Sequence, residues 1–218
     1  MTEKKVAAFL SGPMKIDLRE ELAKMKQAAV EKRNQKDLIW RKLCGVVATS
    51  GSAVHEKEFM AMYHKRLAFS KLPTNSAARI RSIHQALVDA KVPRMREQKA
   101  RDLSANYEIV KKLGGPEKAT KIMLAQQGKQ PKMKWIRQFH GVGSKYSRDI
   151  WMDICDPDFS DSIALDARVM SFAAKSGFNR KSKTLEKDLL EFAHSCKLNG
   201  WELDRLIFNF GGLIERNL

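Results

Sequence analysis

An all-α fold is what this sequence predicts, and three observations predict it. Apolar residues recur at helical spacing along most of the chain, period-two alternation is hard to find, and the breaks between periodic runs carry glycine, proline or capping residues. With 43% hydrophobic and 30% charged residues, the 218-residue chain can bury a core without disulfide or metal staples. The expected body is about ten helices in two lobes with a cleft between them.

The elements follow in order. Residues 1–16 are polar and expected to be mobile. Leu38 to Ala48 reads as a buried apolar helix ending at Thr49-Ser50-Gly51-Ser52, after which Val54, Met60, Tyr63 and Leu67 resume the period. Pro73-Thr74-Asn75 is a turn whose asparagine caps a helix over 76–90. A helix over 97–113 ends at Gly114-Gly115, which accepts the left-handed cap conformation, and Pro116 opens the next helix at its first position. Gln127 to Pro131 reads as a mobile connection. Leu185, Leu189, Phe192, Ala193 and Cys196 form one apolar stripe and Leu203, Leu206, Ile207, Phe210 and Ile214 a second, with Asn199-Gly200 as the break. The lobes are drawn at 76–170 and at 17–75 with 171–218.

Charge narrows the function. Lys and Arg number 41 against 25 Asp and Glu, a net charge of +16 and a pI near 9.9, which implies a polyanionic partner. Basic clusters stand at Lys32-Arg33-Lys36, Arg94-Arg96-Lys99-Arg101, Lys129-Lys132-Lys134-Arg137 and Arg180-Lys181-Lys183, and each alone fits a solvated face, an anionic membrane or a ribosomal surface as well as DNA. No apolar run approaches the roughly 20 residues of a membrane span, and Lys15 and Asp17 interrupt any secretory signal, so a cytoplasmic or nuclear, unsecreted protein is expected. Cys44, Cys155 and Cys196 lie far apart and read as reduced, mostly buried thiols. His55, His64, His84 and His194 lack metal-ligand spacing, so no metal catalysis is expected. A monomer is the default.

The stretch from Trp135 to Ile150 reads as helix, tight turn, helix, with His140-Gly141-Val142-Gly143-Ser144 at the turn. Two glycines let the backbone turn sharply and approach a ligand, and the N–H groups opening the second helix form an anion site. Such a hairpin can grip a DNA phosphate, although a bare Gly-X-Gly is more often only a turn.

The segment resembles the helix-hairpin-helix DNA glycosylases of the endonuclease III superfamily. Four features coincide in order: Val92-Pro93-Arg94-Met95-Arg96-Glu97-Gln98-Lys99-Ala100 as the basic start of a helix, Leu113-Gly114-Gly115-Pro116 as the step after it, the hairpin Gly141-Val142-Gly143-Ser144-Lys145, and Ile163-Ala164-Leu165-Asp166-Ala167-Arg168-Val169. The match is clearest over 92–172 and extends more weakly through 37–215. It departs at Phe139-His140, where Leu-Pro is commoner, and at Ala167-Arg168, where Thr-His is usual.

The resemblance implies a two-lobed bundle of that type acting on damaged double-stranded DNA. Lys145 stands where bifunctional members place the lysine that attacks the sugar, with a phosphate contact as its plainer alternative. Asp166 stands where the superfamily keeps its catalytic aspartate, and it also reads as an N-terminal helix cap. No four-cysteine cluster follows, so no iron–sulfur cofactor is expected, and only a structural monovalent cation at the hairpin is left open. A hairpin lysine without a cluster is the combination of the 8-oxoguanine glycosylase branch, and Gly200-Trp201-Glu202-Leu203-Asp204-Arg205-Leu206-Ile207-Phe208 resembles its small archaeal-type members. Base excision requires a residue that fills the gap left by the extruded nucleotide, for which Thr49, Ser50 and Ser52 are the candidates. Trp40, Phe139, Tyr146, Trp201 and Phe208 are candidates for the base pocket, most of them expected in the core. Other lesions on the same scaffold, or a non-catalytic DNA-binding module, remain as alternatives.

Overall fold

A computed structural model describes residues 3–4, 7–8, 17–50 and 55–216, with side chains through residue 212. Every regular element among the described residues is helical, as expected. The α-helices are α1 (Leu18–Arg33), α2 (Leu38–Thr49), α3 (Glu56–Ala61), α4 (Ser76–Asp89), α5 (Arg96–Lys112) and α6 (Pro116–Leu124). They continue as α7 (Lys129–Ile136), α8 (Ser144–Met152), α9 (Ala167–Lys175), α10 (Leu185–Ser195) and α11 (Gly200–Arg216). A π-turn over Tyr63–Leu67 and short 3₁₀ turns at Phe69–Lys71 and Pro157–Phe159 complete them.

The ends obey local chemistry. Asn75 Oδ1 accepts the Ala78 N–H at 3.0 Å and starts α4. Gly114 and Gly115 take φ of +90° and +92°, which ends α5 by turning the Gly115 N–H back onto Val110 O at 3.0 Å. Gln127 to Pro131 is not a loop throughout: α7 begins at Lys129, because Pro131 falls in its first turn, where a missing N–H removes no helical bond.

The chain divides into two compact units, Arg33–Ser147 and the residues through Lys32 together with Arg148–Leu218. The expected boundaries at 75/76 and 170/171 therefore move. The reason is packing: α2 lies against α5 and α6, and Ile39 N–H donates to Thr120 Oγ1 at 3.2 Å, so residues 38–75 join the hairpin. Likewise α9 packs on α11.

In the first unit Ile39, Trp40, Leu43, Cys44 and Val47 of α2, Leu103 and Val110 of α5 and Met123 of α6 are all buried, and α2 packs on both α5 and α6. Each fully buried large side chain stabilises by roughly 1.5–3 kcal/mol. Arg79 is buried beneath the Tyr107 ring, its guanidinium satisfied by Ser104, Glu108 and the carbonyls of Pro73 and Thr74. The second unit is built on α11, whose Leu203, Leu206 and Ile207 are buried and whose Trp201 indole donates to Met152 O at 2.7 Å. Lys26 of α1 pairs with Glu202 of α11 at 2.6 Å.

Candidate functional site

The hairpin runs from α7 through a tight turn into α8. Phe139 and Val142 are buried and anchor it, while His140, Gly141, Gly143, Ser144 and Lys145 are exposed. The two glycines differ. Gly141 has φ +79°, a conformation L-residues rarely adopt, so glycine is required by the turn. Gly143 has no such φ, and a Cβ built on it would meet nothing within 4 Å. Folding does not demand a glycine there; the bare backbone leaves room for an approaching group.

From Gly143 the chain enters α8, with Ser147 N–H on Gly143 O at 2.9 Å. The N–H groups of a helix's first turn have no intrahelical acceptor, so this end attracts an anion. Ser147, fully buried, ties the hairpin's two arms: its hydroxyl donates to Ser144 O at 2.8 Å and accepts from Arg137 Nε at 3.2 Å. Lys145 is the second residue of α8, its Nζ 5.5 Å from the Tyr146 ring centre.

Upstream, the turn before α5 holds a residue that the sequence did not single out. Arg94 and Met95 are consecutive left-handed residues, at φ 56° and 52°, and Met95 is 69% exposed. Left-handed non-glycine residues cost energy and cluster at functional sites. Side chains of α5 hold this turn, Arg96 Nε donating to Val92 O at 2.6 Å and Lys99 Nζ to Pro93 O at 3.4 Å. Burial pulls the Lys99 ammonium below the usual lysine range, and Arg96 beside it adds to the shift. Met95 stands in an open groove of about 570 Å³ lined by His84, Arg94, Arg96, Glu97, Gln98 and Arg101. A methionine at a helix N-cap, where Ser, Thr, Asn or Asp is usual, was the signal available in the sequence.

In the second unit Asp166 caps α9. Its Oδ1 accepts both the Arg168 and Val169 N–H groups, at 2.9 and 3.0 Å, and Oδ2 takes no hydrogen bond among the described residues. Capping and chemistry can thus be served by different oxygens. The loop before it is clamped: Arg148 donates to Ile163 O at 2.6 Å and pairs with Glu186 at 2.9 Å, and Ala164 N–H donates to Asp204 Oδ1 at 2.8 Å. Arg168 lays its guanidinium 4.0 Å over the Phe208 ring and donates to Phe208 O at 3.3 Å.

The remaining sequence candidates separate. Trp40 is a correction: it is fully buried, its indole donating to Leu67 O at 2.7 Å, and so belongs to the core. Phe139 is buried against Trp135 and serves the hairpin's own packing, and Trp201 is buried on Met152. Tyr146 is half-buried, and Phe208 is 46% exposed. Thr49 Oγ1 turns back onto Gly45 O at 2.9 Å and Ser50 N–H onto Val46 O at 3.0 Å, both finishing α2, while Ser52 lies outside the described residues. Among the described residues no three His, Cys, Asp or Glu side chains stand together as a metal would require, and no helix is long and apolar enough to cross a membrane.

The chain has the fold of the 8-oxoguanine DNA glycosylases. It is similar to the Methanocaldococcus jannaschii 8-oxoguanine glycosylase/lyase, whose structure holds a 15mer DNA containing 8-oxoguanine, with a TM-score of 0.71 and 14% identity over 96% of this chain and 97% of that one. It is also similar to the 8-oxoguanine DNA glycosylase of Thermotoga maritima, with a TM-score of 0.68 and 16% identity over 94% and 95% of the two chains. No family model matches the sequence, and no curated protein matches it.

Proposed function

We propose that this protein is a bifunctional DNA glycosylase and AP lyase that removes an oxidised base, 8-oxoguanine above all, from double-stranded DNA. The observation that carries the reading is, in the first unit, an exposed lysine beside a hairpin glycine that folding does not require; the second unit supplies an aspartate whose Oδ2 takes no hydrogen bond among the described residues. In this reading the backbone of Gly143 and Ser144 takes a phosphate, and Met95 enters the duplex where the damaged nucleotide has left. The Lys145 amine attacks C1′ while Asp166 stabilises the positive charge on the sugar. The C1′–N9 bond breaks and the base leaves with the electron pair, to be protonated. The amine gives up a proton, the sugar ring opens to a Schiff base, and loss of a C2′ proton expels the 3′ phosphate, which nicks the strand. Phe208, backed by Arg168, offers its ring to the extruded base.

The test is borohydride trapping on duplexes bearing one 8-oxoguanine, one oxidised pyrimidine or no lesion, with wild type and Lys145→Gln. A covalent adduct on the first duplex alone, absent in the variant, is expected. An adduct chiefly on the oxidised pyrimidine would move the substrate. No adduct on any duplex would return Lys145 to a phosphate contact.

A further inference from the structure

Asn106 lies in the middle of α5 with no surface exposed, and it is spent entirely on one residue 34 positions away. Its Nδ2 donates to His140 O at 2.9 Å, and its Oδ1 accepts the His140 N–H at 2.7 Å. A buried amide costs free energy unless both ends are satisfied, and here both ends close on the backbone of a single turn residue. Only a side chain with a donor and an acceptor in one plane can do this. Leucine would fill the volume and bond nothing, aspartate lacks the donor, and glutamine would hold the turn one methylene farther away.

The consequence is positional. His140 immediately precedes Gly141-Val142-Gly143, so pinning its backbone sets where Gly143 and the first turn of α8 present their N–H groups, and where Lys145 starts. The same helix carries Met95 at its N-cap. Asn106 lies eleven positions after Met95, about 16 Å of helix at ~1.5 Å per residue. That is the length of four to five base steps at ~3.4 Å per step. Helix α5 thus acts as a ruler with Met95 at one end and the hairpin fastened along it.

We propose that Asn106 is the positioning residue of the hairpin, fixing its phosphate grip, and through it Lys145, at a set distance from Met95. This rests on the glycosylase reading for its catalytic half, but its binding half does not.

The experiment compares wild type, Asn106→Asp and Asn106→Ala in three measurements: thermal midpoint, affinity for an undamaged duplex as a function of salt, and single-turnover adduct formation on the lesion duplex at saturating enzyme. Asn106→Asp keeps the volume and one bond, and so supplies a folded variant if the alanine does not fold. Expected for the aspartate are duplex affinity about tenfold weaker, a salt slope shallower by about 0.9 for each phosphate the hairpin no longer grips, and adduct formation at saturation slowed by about ten- to a hundredfold, as a misplacement of about 1 Å produces. A fall in thermal midpoint with affinity, salt slope and saturated rate all unchanged would overturn the proposal, leaving Asn106 a packing residue. Should wild type form no adduct on any lesion, the glycosylase reading fails while the duplex-binding arm still decides the role of Asn106.

Discussion

Asp204, on α11, accepts the amide of Ala164 at 2.8 Å across 40 residues of chain, and so fixes the loop that ends two residues later at Asp166. Burial pushes the Asp204 carboxyl above the usual carboxylate range, and Asp166 and Asp153 push the same way against Arg205 and the Ala164 amide. A raised carboxyl holds its proton better in the folded chain than in the unfolded one. Its contribution to stability is therefore complete below the ordinary value of 3.8 and is lost as pH climbs through the folded value. Asp204→Asn keeps the acceptor for Ala164 and discards the charge. The expected result is a thermal midpoint a few degrees above wild type at pH 7, with the gap closing as pH is lowered toward 3.8; a melting series over pH checks it. A variant less stable than wild type at neutral pH would show that the charge itself holds the loop.

Asp166 has a structural duty as a helix cap that a careless substitution would confuse with the chemical one proposed for it. Because asparagine caps helices as well as aspartate does, Asp166→Asn should leave the thermal midpoint near wild type while cutting adduct formation at least about a hundredfold. Asp166→Ala should lose both, the cap contributing about 1 kcal/mol. Equal activity in wild type and the asparagine variant would reduce Asp166 to a cap.

The two hairpin glycines give opposite expectations. Gly141→Ala forces a side chain into φ +79° and should destabilise by about 1 kcal/mol or more. Threonine caps about as well as glycine and finds empty space at Gly143, so Gly143→Thr should melt with wild type. Its duplex affinity should nonetheless fall about tenfold, because the added carbons hold a phosphate away from the amides. Melting curves and binding isotherms on both variants separate folding from grip.

What was legible in the sequence was local. Leu185, Leu189, Phe192 and Ala193 announce a helix by spacing alone and are all buried, and the glycine pattern with Lys145 is written within five residues. What was illegible depends on partners far away in the chain or on backbone angles. Asn106 is one polar residue among many until His140 lies beside it, and Asp204 means nothing without Ala164. Trp40 and Phe208 look equally eligible for a base pocket, and only burial, complete for one and partial for the other, tells them apart. The lobe boundaries failed for the same reason, since the Thr120 hydroxyl that ties α2 to α6 lies 81 residues from Ile39.

Met95 is the residue on which that difference can be tested most directly. Exposed methionine in a strained turn contributes little to stability, so Met95→Ala should change the free energy of unfolding by no more than about 0.5 kcal/mol. If the side chain enters the duplex, the same change should lower excision from intact duplex by about tenfold or more, while sparing a lesion already unpaired in a bulge, where no stack has to be opened. Fluorescence of 2-aminopurine placed beside the lesion reports the opening itself, and should rise on binding for wild type but not for the variant. Equal signals from both proteins would leave the left-handed turn at Arg94 and Met95 as a feature of the basic groove, with some other residue opening the stack.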